Sequence, residues 1–203
     1  MGRLQITRNK FFSTDEVKQL IKVCEEQATL DLRKGRRAWI TRHVLVAIAL
    51  NSGLRLAEIT ALKIGDIHLG RKKTYIRVRN GEGGKKRDVY FNGTLAKLLK
   101  EYIKIKGEMW NQPSCPGDNL FSYKGGRPHT RWALYKSFKK ALEMAGLPMH
   151  HSIHHARHTY AIHLLADTGD LKYVQKQLGN ESSAFTAIYA DILQEQNQAV
   201  IDL

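Results

Sequence analysis

The chain has 203 residues, with 33 Lys+Arg against 19 Asp+Glu and a formal charge of +14. That length favours one domain, large enough to bury a core without a disulfide or metal staple. A hydrophobic content of 42% with 3 Trp, 8 Tyr and 6 Phe excludes a disordered chain. The longest apolar run, Val44–Leu50, is far short of a membrane span. Cys24 and Cys115 are too few and too far apart for a disulfide framework or a Cys-based metal knuckle. The first ten residues lack the apolar centre of a signal peptide, so the expectation is a soluble, cytoplasmic protein. A positive excess of this size points to a polyanion, with nucleic acid first among the partners it would suit.

Residues 1–10 carry Arg3, Arg8 and Lys10 with no apolar periodicity and read as a flexible basic tail. Ser13 and Glu16 have the spacing of a capping box, and Val17, Leu20, Ile21 and Cys24 then fall on one helical face. Leu32–Arg37 reads as a basic loop. Trp39–Leu50 is apolar enough for a buried helix, which Asn51-Ser52-Gly53 stops. A short helix over Leu54–Leu62 follows. The period then changes: Tyr75–Arg79 and Arg87–Phe91 alternate around Asn80-Gly81-Glu82-Gly83-Gly84, a β-hairpin with a glycine-rich tip. Residues 71–87 hold eight basic side chains and one acid, Glu82. Arg77 and Arg79 share one face, with Ile76 and Val78 on the other. Such a hairpin suits a groove or a phosphate backbone, and it equally fits a solvated face on a small sheet.

Thr94–Lys106 is a further amphipathic helix. Three of the four prolines lie in the loop region 107–130, and helices are expected at 131–145, 153–167, 171–178 and 183–193. The class is α+β, predominantly helical, with one small antiparallel sheet.

Six of the nine histidines crowd into 150–163: His150, His151, His154, His155, His158 and His163. His154 and His158 have the i, i+4 spacing of a helical metal pair, but no HExxH-type acid accompanies them. His154 and Arg157, three apart, can converge on one anion. Ser152 as N-cap would set them near a helix N-terminus, itself favourable to phosphate.

Ser52-Gly53-Leu54-Arg55-Leu56-Ala57-Glu58-Ile59 resembles the first box of the tyrosine recombinases, the phage integrase family. His154-His155-Ala156-Arg157-His158-Thr159 is similar to their His-x-x-Arg-His-Thr box. Leu178-Gly179-Asn180, with Tyr189 nine residues after it, is similar to their Leu-Gly-His segment and nucleophilic tyrosine. The three strings stand in the family's order, the basic hairpin lies between the first two, and the resemblance runs from about Phe12 to Tyr189.

The resemblance implies the tyrosine recombinase catalytic-domain fold over residues 11–203 and a site-specific recombinase or integrase that breaks and rejoins DNA, as mobile elements do. In that reading Arg55 and Arg157 grip the non-bridging oxygens of the scissile phosphate, for which the planar guanidinium fork is suited. His154 hydrogen-bonds the phosphate or helps remove the proton from the nucleophile, and Tyr189 attacks to form a 3′-phosphotyrosyl bond. No metal, ATP or other cofactor is implied. Glu58 matches an acidic position of the first box with a positioning role, and His158 matches with a structural or chemical one. Candidate DNA contacts are Arg77, Arg79, Lys86 and Arg87.

Two positions depart from the family pattern. The hairpin turn often reads Gly-Lys-Gly with a catalytic lysine, whereas Gly81-Glu82-Gly83 stands here; Lys85 is expected to take over as the acid for the leaving 5′-oxygen, with Lys86 as the spare. Asn180 replaces the usual histidine, so it can donate a hydrogen bond to phosphate but cannot carry a proton. These departures keep open a DNA-binding protein of the same fold with weak or lost cleavage; a type IB topoisomerase-like relaxing enzyme is the other alternative.

Family members usually carry an N-terminal helical domain that clamps DNA from the opposite side. The resemblance begins near residue 11, so weak DNA binding by this chain alone is expected. The resemblance also implies double-stranded recombination sites as substrate, a homo-oligomer (a tetramer) on DNA, and residence at a prokaryotic nucleoid. The tail 190–203 is expected to dock on a neighbouring subunit or to pack within its own.

Overall fold

In the computed structural model, residues 11–179 are described. Helix α1 (Thr14–Arg33) begins with the expected capping box: Ser13 Oγ accepts from the Glu16 amide at 3.2 Å and the Glu16 carboxylate from the Ser13 amide at 2.7 Å. The helix runs into the segment read as a basic loop. Buried Asp31 accepts from the Trp39 amide at 2.8 Å and so shapes the turn into the next helix.

Helix α2 (Ala38–Ser52) buries Ile40 and the unbroken run Val44–Leu50. A helix that is apolar all round is buried on every side, and α2 packs against α1, α4 (Gly93–Glu108), α5 (Arg131–Met144) and α6 (Ile153–Thr168). Each buried aliphatic side chain contributes about 1.5–3 kcal/mol. Gly53 ends α2 with φ of 59°. Short α3 (Leu56–Ala61) turns off at once, with extended Arg55 as its N-cap.

A three-stranded antiparallel sheet follows in the order β1 (Ile67–Leu69), β2 (Thr74–Val78), β3 (Arg87–Tyr90). Strands β2 and β3 form the expected hairpin, with Arg77 opposite Asp88 and Val78 opposite Arg87. Strand β1 is an addition: its three residues, Ile67, His68 and Leu69, are too few to show an alternation. Ile76, Val78 and Val89 turn into the core, and Arg77 and Arg79 face solvent as the alternation predicts.

Helix α6 is capped by Ser152, whose Oγ accepts from the His154 amide at 3.2 Å, and helix α7 (Leu171–Leu178) by Asp170. Tyr160, Ile162, Leu165, Val174 and Leu178 form a smaller core between α6 and α7. The Phe12 amide donates to Thr159 Oγ1 at 2.8 Å and ties the start of the described chain to α6. These elements make the predominantly helical α+β class expected from sequence. The helix expected at 183–193, and residues 1–10 and 190–203, lie outside the described residues. Among the described residues no helix is long and apolar enough to cross a membrane.

Candidate active site

The site forms where α2 ends, α3 begins, and the first two turns of α6 meet the last turn of α7. Arg157 is 4% exposed, and its two terminal nitrogens donate to carbonyls that helix ends leave over: Nη1 to Gly53 O at 2.6 Å and Nη2 to Leu178 O at 2.9 Å. Its charge is therefore fixed beside the turn that carries Arg55. Arg55 keeps 30% of its side chain exposed.

Exposed His154 stands one turn before Arg157 on α6. Partial desolvation, and then the charges of Arg157 and Arg55, hold its imidazole below its ordinary pKa. The ring is thus neutral near pH 7 and can accept or relay a proton. Its ring centroid lies 5.1 Å from that of His158.

Glu58 organises the site from below. Its Oε2 accepts from the Arg55 backbone amide at 2.8 Å, and its Oε1 lies 3.6 Å from Arg55 Nη1. Burial would raise this carboxyl group, but its bonds to Arg87, the nearby Arg157 charge and the Arg55 amide together hold it below the usual carboxylate range. Arg87 grips it with both terminal nitrogens, at 2.8 and 2.9 Å.

That last contact changes the reading of Arg87. Expected as a DNA contact, it keeps only 9% of its side chain exposed. The reason is strand register: Arg87 lies two residues from buried Val89 and shares its inward face. Arg77 and Arg79 are displayed outward, Arg77 in a two-bond pair with Asp88 at 2.9 and 3.1 Å and Arg79 paired with buried Asp66. The Asp88 pair raises the Arg77 pKa above its ordinary value. Lys85 and Lys86 are exposed at the tip, where Gly81 and Lys85 are joined by a 3.0 Å backbone bond. Asn180 and Tyr189 lie outside the described residues; Gly179, just before Asn180, is the left-handed cap of α7.

The histidine crowd divides. His151 is buried, stacks on Phe12 with centroids 4.2 Å apart, and its Nε2 lies 3.2 Å from the Glu16 carboxylate. His150 and His155 pack around it, on a different group of neighbours from His154 and His158. Among the described residues no group of three or more His, Cys, Asp or Glu is gathered to hold a metal ion.

Sequence reasoning missed two features. One is the Glu58–Arg87 fork, for which the alternation Arg87–Val89 was the available signal. The other is a cavity of about 460 Å³ at the start of α2, lined by Arg37, Arg42, Trp110, Tyr123, Lys124 and Lys136 among others, with no carboxylate in its lining among the described residues. Its walls come from α2, α5 and the long loop between α4 and α5, so no sequence pattern announces it.

Residues 10–196 match the Phage integrase family. Tyrosine recombinase XerC of Lactobacillus leichmannii is 30% identical in an alignment of 196 positions that covers 93% of this chain and 62% of the relative. The crystal structure of XerA recombinase superposes with a TM-score of 0.73 at 25% identity, covering 93% of this chain and 64% of that one. For the XerH site-specific recombinase in its post-cleavage complex with palindromic difH substrate, the TM-score is 0.75 at 23% identity, over 95% of this chain and 52% of that one, a likeness of fold. The chain thus spans a little under two thirds of the XerC relative's length. With its two arginine boxes joined at one turn and a family match over nearly all its residues, the chain belongs to the phage integrase family.

Proposed function

We propose that this chain is the catalytic domain of a site-specific tyrosine recombinase, which cleaves and rejoins DNA strands through a 3′-phosphotyrosyl intermediate. The observation that carries the reading is that Arg55, His154 and Arg157 are neighbours: both arginine charges bear on the His154 imidazole, and Arg157 is anchored at 2.6 Å to the Gly53 carbonyl two residues before Arg55. One anchored guanidinium, a second beside it and a neutral imidazole make a phosphate cradle whose charge is in place before the reaction begins.

The chemistry balances without a cofactor. The Tyr189 oxygen attacks phosphorus and gives up its proton, with neutral His154 as the acceptor within this constellation. A free phenol has a pKa of ~10, so the two arginines must also favour its ionised form. The added negative charge of the pentacoordinate state falls on the non-bridging oxygens that Arg55 and Arg157 hold. The bond from phosphorus to the 5′-oxygen breaks, and Lys85 supplies the proton to that leaving group. Asn180 donates a hydrogen bond to the phosphate. Because the phosphotyrosine remains an ester, a second 5′-hydroxyl can reverse these steps and release Tyr189.

Double-stranded recombination sites are the substrate in this reading. The exposed hairpin residues Arg77, Arg79 and Lys86, together with the basic cavity roughly 20 Å from Arg55 along α2, supply phosphate contacts. Homo-oligomerisation on DNA, as a tetramer in which residues 190–203 dock on a neighbour, and action on the prokaryotic chromosome in the cytoplasm, belong to the same proposal. So does the division into a basic tail, 1–10, and a catalytic domain, 11–203.

A nicked suicide duplex tests it. The wild type is expected to form a covalent protein–DNA adduct that Tyr189→Phe abolishes. DNA binding without any adduct would overturn the enzyme reading in favour of a binding protein of this fold. Relaxation of plasmid lacking any target site would favour a topoisomerase-like enzyme.

A further inference from the structure

Arg87 ties β3 to two of the elements that supply the site, α3 and α7. From β3 its guanidinium reaches α3, where it forks onto both oxygens of Glu58 at 2.8 and 2.9 Å. Its Nε donates to the Gln177 carbonyl in the last turn of α7 at 3.0 Å. At the hairpin tip, a Cβ on Gly81 would stand 3.0 Å from its Nη1. On the other side, a Cβ on Gly179 would stand 2.9 Å from its Cδ. Gly179, immediately before Asn180, therefore admits this side chain, while Gly81, where a Cβ would first meet the Lys85 carbonyl at 2.7 Å, borders it in the turn that carries Lys85.

We propose that Arg87 is a positioning residue of the strand-transfer site: through Glu58 it sets Arg55, and through Gln177 and Gly179 it sets the end of α7 from which Asn180 continues. The inference rests on the recombinase reading for its catalytic consequence. The physical argument is competition for one carboxylate. Glu58 could take the Arg55 guanidinium in a close fork of its own, which would draw it back from a phosphate. Arg87 occupies both carboxylate oxygens, so Glu58 holds the Arg55 guanidinium only at 3.6 Å, a contact that orients it toward Glu58 without a close fork. Arg87 is turned onto the protein itself: its three guanidinium nitrogens bond to Glu58 and Gln177, and only 9% of the side chain is exposed.

Arg87→Lys separates these roles. Lysine keeps the charge that a phosphate contact needs but cannot fork onto Glu58 while also reaching Gln177. The expected result, on the nicked duplex at saturating DNA, is a single-turnover cleavage rate lower by on the order of 10²-fold, with the DNA Kd and its salt slope at wild-type values. Because Arg87 sets Arg55 through Glu58, the losses of Arg87→Lys and Glu58→Gln should be less than multiplicative in the double variant, the remainder being the route through Gln177. Wild-type cleavage by Arg87→Lys, or rate losses that multiply in the double variant, would overturn the proposal.

An NMR titration of His154 in the apoprotein gives a readout that needs no cleavage. When Arg55 falls back onto Glu58, its charge leaves His154 and the imidazole pKa rises toward its ordinary value. An unmoved His154 in Arg87→Lys overturns the positioning role. Absence of a wild-type adduct beside a shifted His154 sinks the recombinase reading and leaves the positioning role standing. If Arg87→Lys does not fold, Gly179→Ala crowds the same side chain from behind, and the same shift in His154 is expected of it.

Discussion

Arg157 and Gly53, 104 positions apart in the chain, are joined by a 2.6 Å hydrogen bond from a buried guanidinium to a helix-ending carbonyl. One side chain thus satisfies the ends of two helices and presents a permanent charge at the site. Its loss has two separable consequences. Arg157→Ala leaves the Gly53 and Leu178 carbonyls without this donor and should lower unfolding stability by about 3 kcal/mol. Urea denaturation checks this. A variant as stable as wild type would show that water replaces the guanidinium, and the cleavage defect would then be purely electrostatic.

Lys85 is the expected acid for the leaving oxygen. Lys85→Ala should slow cleavage of an ordinary duplex and be rescued by a 5′-thio leaving group, which departs without a proton. Lys86→Ala should cleave normally. Equal rates for Lys85→Ala and wild type on the ordinary substrate would move the assignment to Lys86.

Acid should destabilise the fold through the histidine cluster. Burial, and then the neighbouring His151, His150, His154 and Lys139, push His155 down from 6.5 to about 4. Burial likewise lowers His151, with Glu16 opposing. Between these values the unfolded chain binds protons that the folded chain excludes, so stability rises with pH. The contribution is complete above pH 6.5 and is lost as pH falls toward about 4. Denaturation midpoints at pH 7, 6, 5 and 4 should fall in that order, and His155→Gln should flatten the slope. An equal slope in that variant would remove His155 as its source.

If the cavity at the start of α2 contacts the duplex, Lys124→Ala and Lys136→Ala should each weaken DNA binding and reduce the slope of log K against log salt by about 0.9. Their effect should be similar on target and unrelated sequences, since phosphate contacts carry no base information. Unchanged slopes would remove the cavity from the DNA-facing surface.

The helices and the hairpin were legible because their signals are local. Ser13 with Glu16, Gly53 and Ser152 mark helix ends within a few residues, and Tyr75–Val78 alternates strictly. The two arginine boxes were legible as strings, but the sequence does not say that Arg157 is anchored on Gly53. That bond depends on α2 and α6 packing side by side, a tertiary fact. Arg87 shows the opposite failure: its alternation with Val89 placed it inward, and its membership of a basic run obscured this. Charge density along a sequence does not record which face a strand presents. The cavity draws on three separated segments, and β1 is too short to carry a period.

The contact between α7 and β3 has a consequence for assembly. Strand β3 is an outer strand of the sheet, and an outer strand ordinarily offers open amides to any chain that can pair with it. Here the Gln177 side chain accepts from the Tyr90 amide at 2.9 Å, and α7 lies along the strand. The stitch that holds α7 beside the candidate site also covers this border where Tyr90 would otherwise offer its amide to an added strand. Two copies of the protein brought together at this face therefore meet α7 before they can pair with β3.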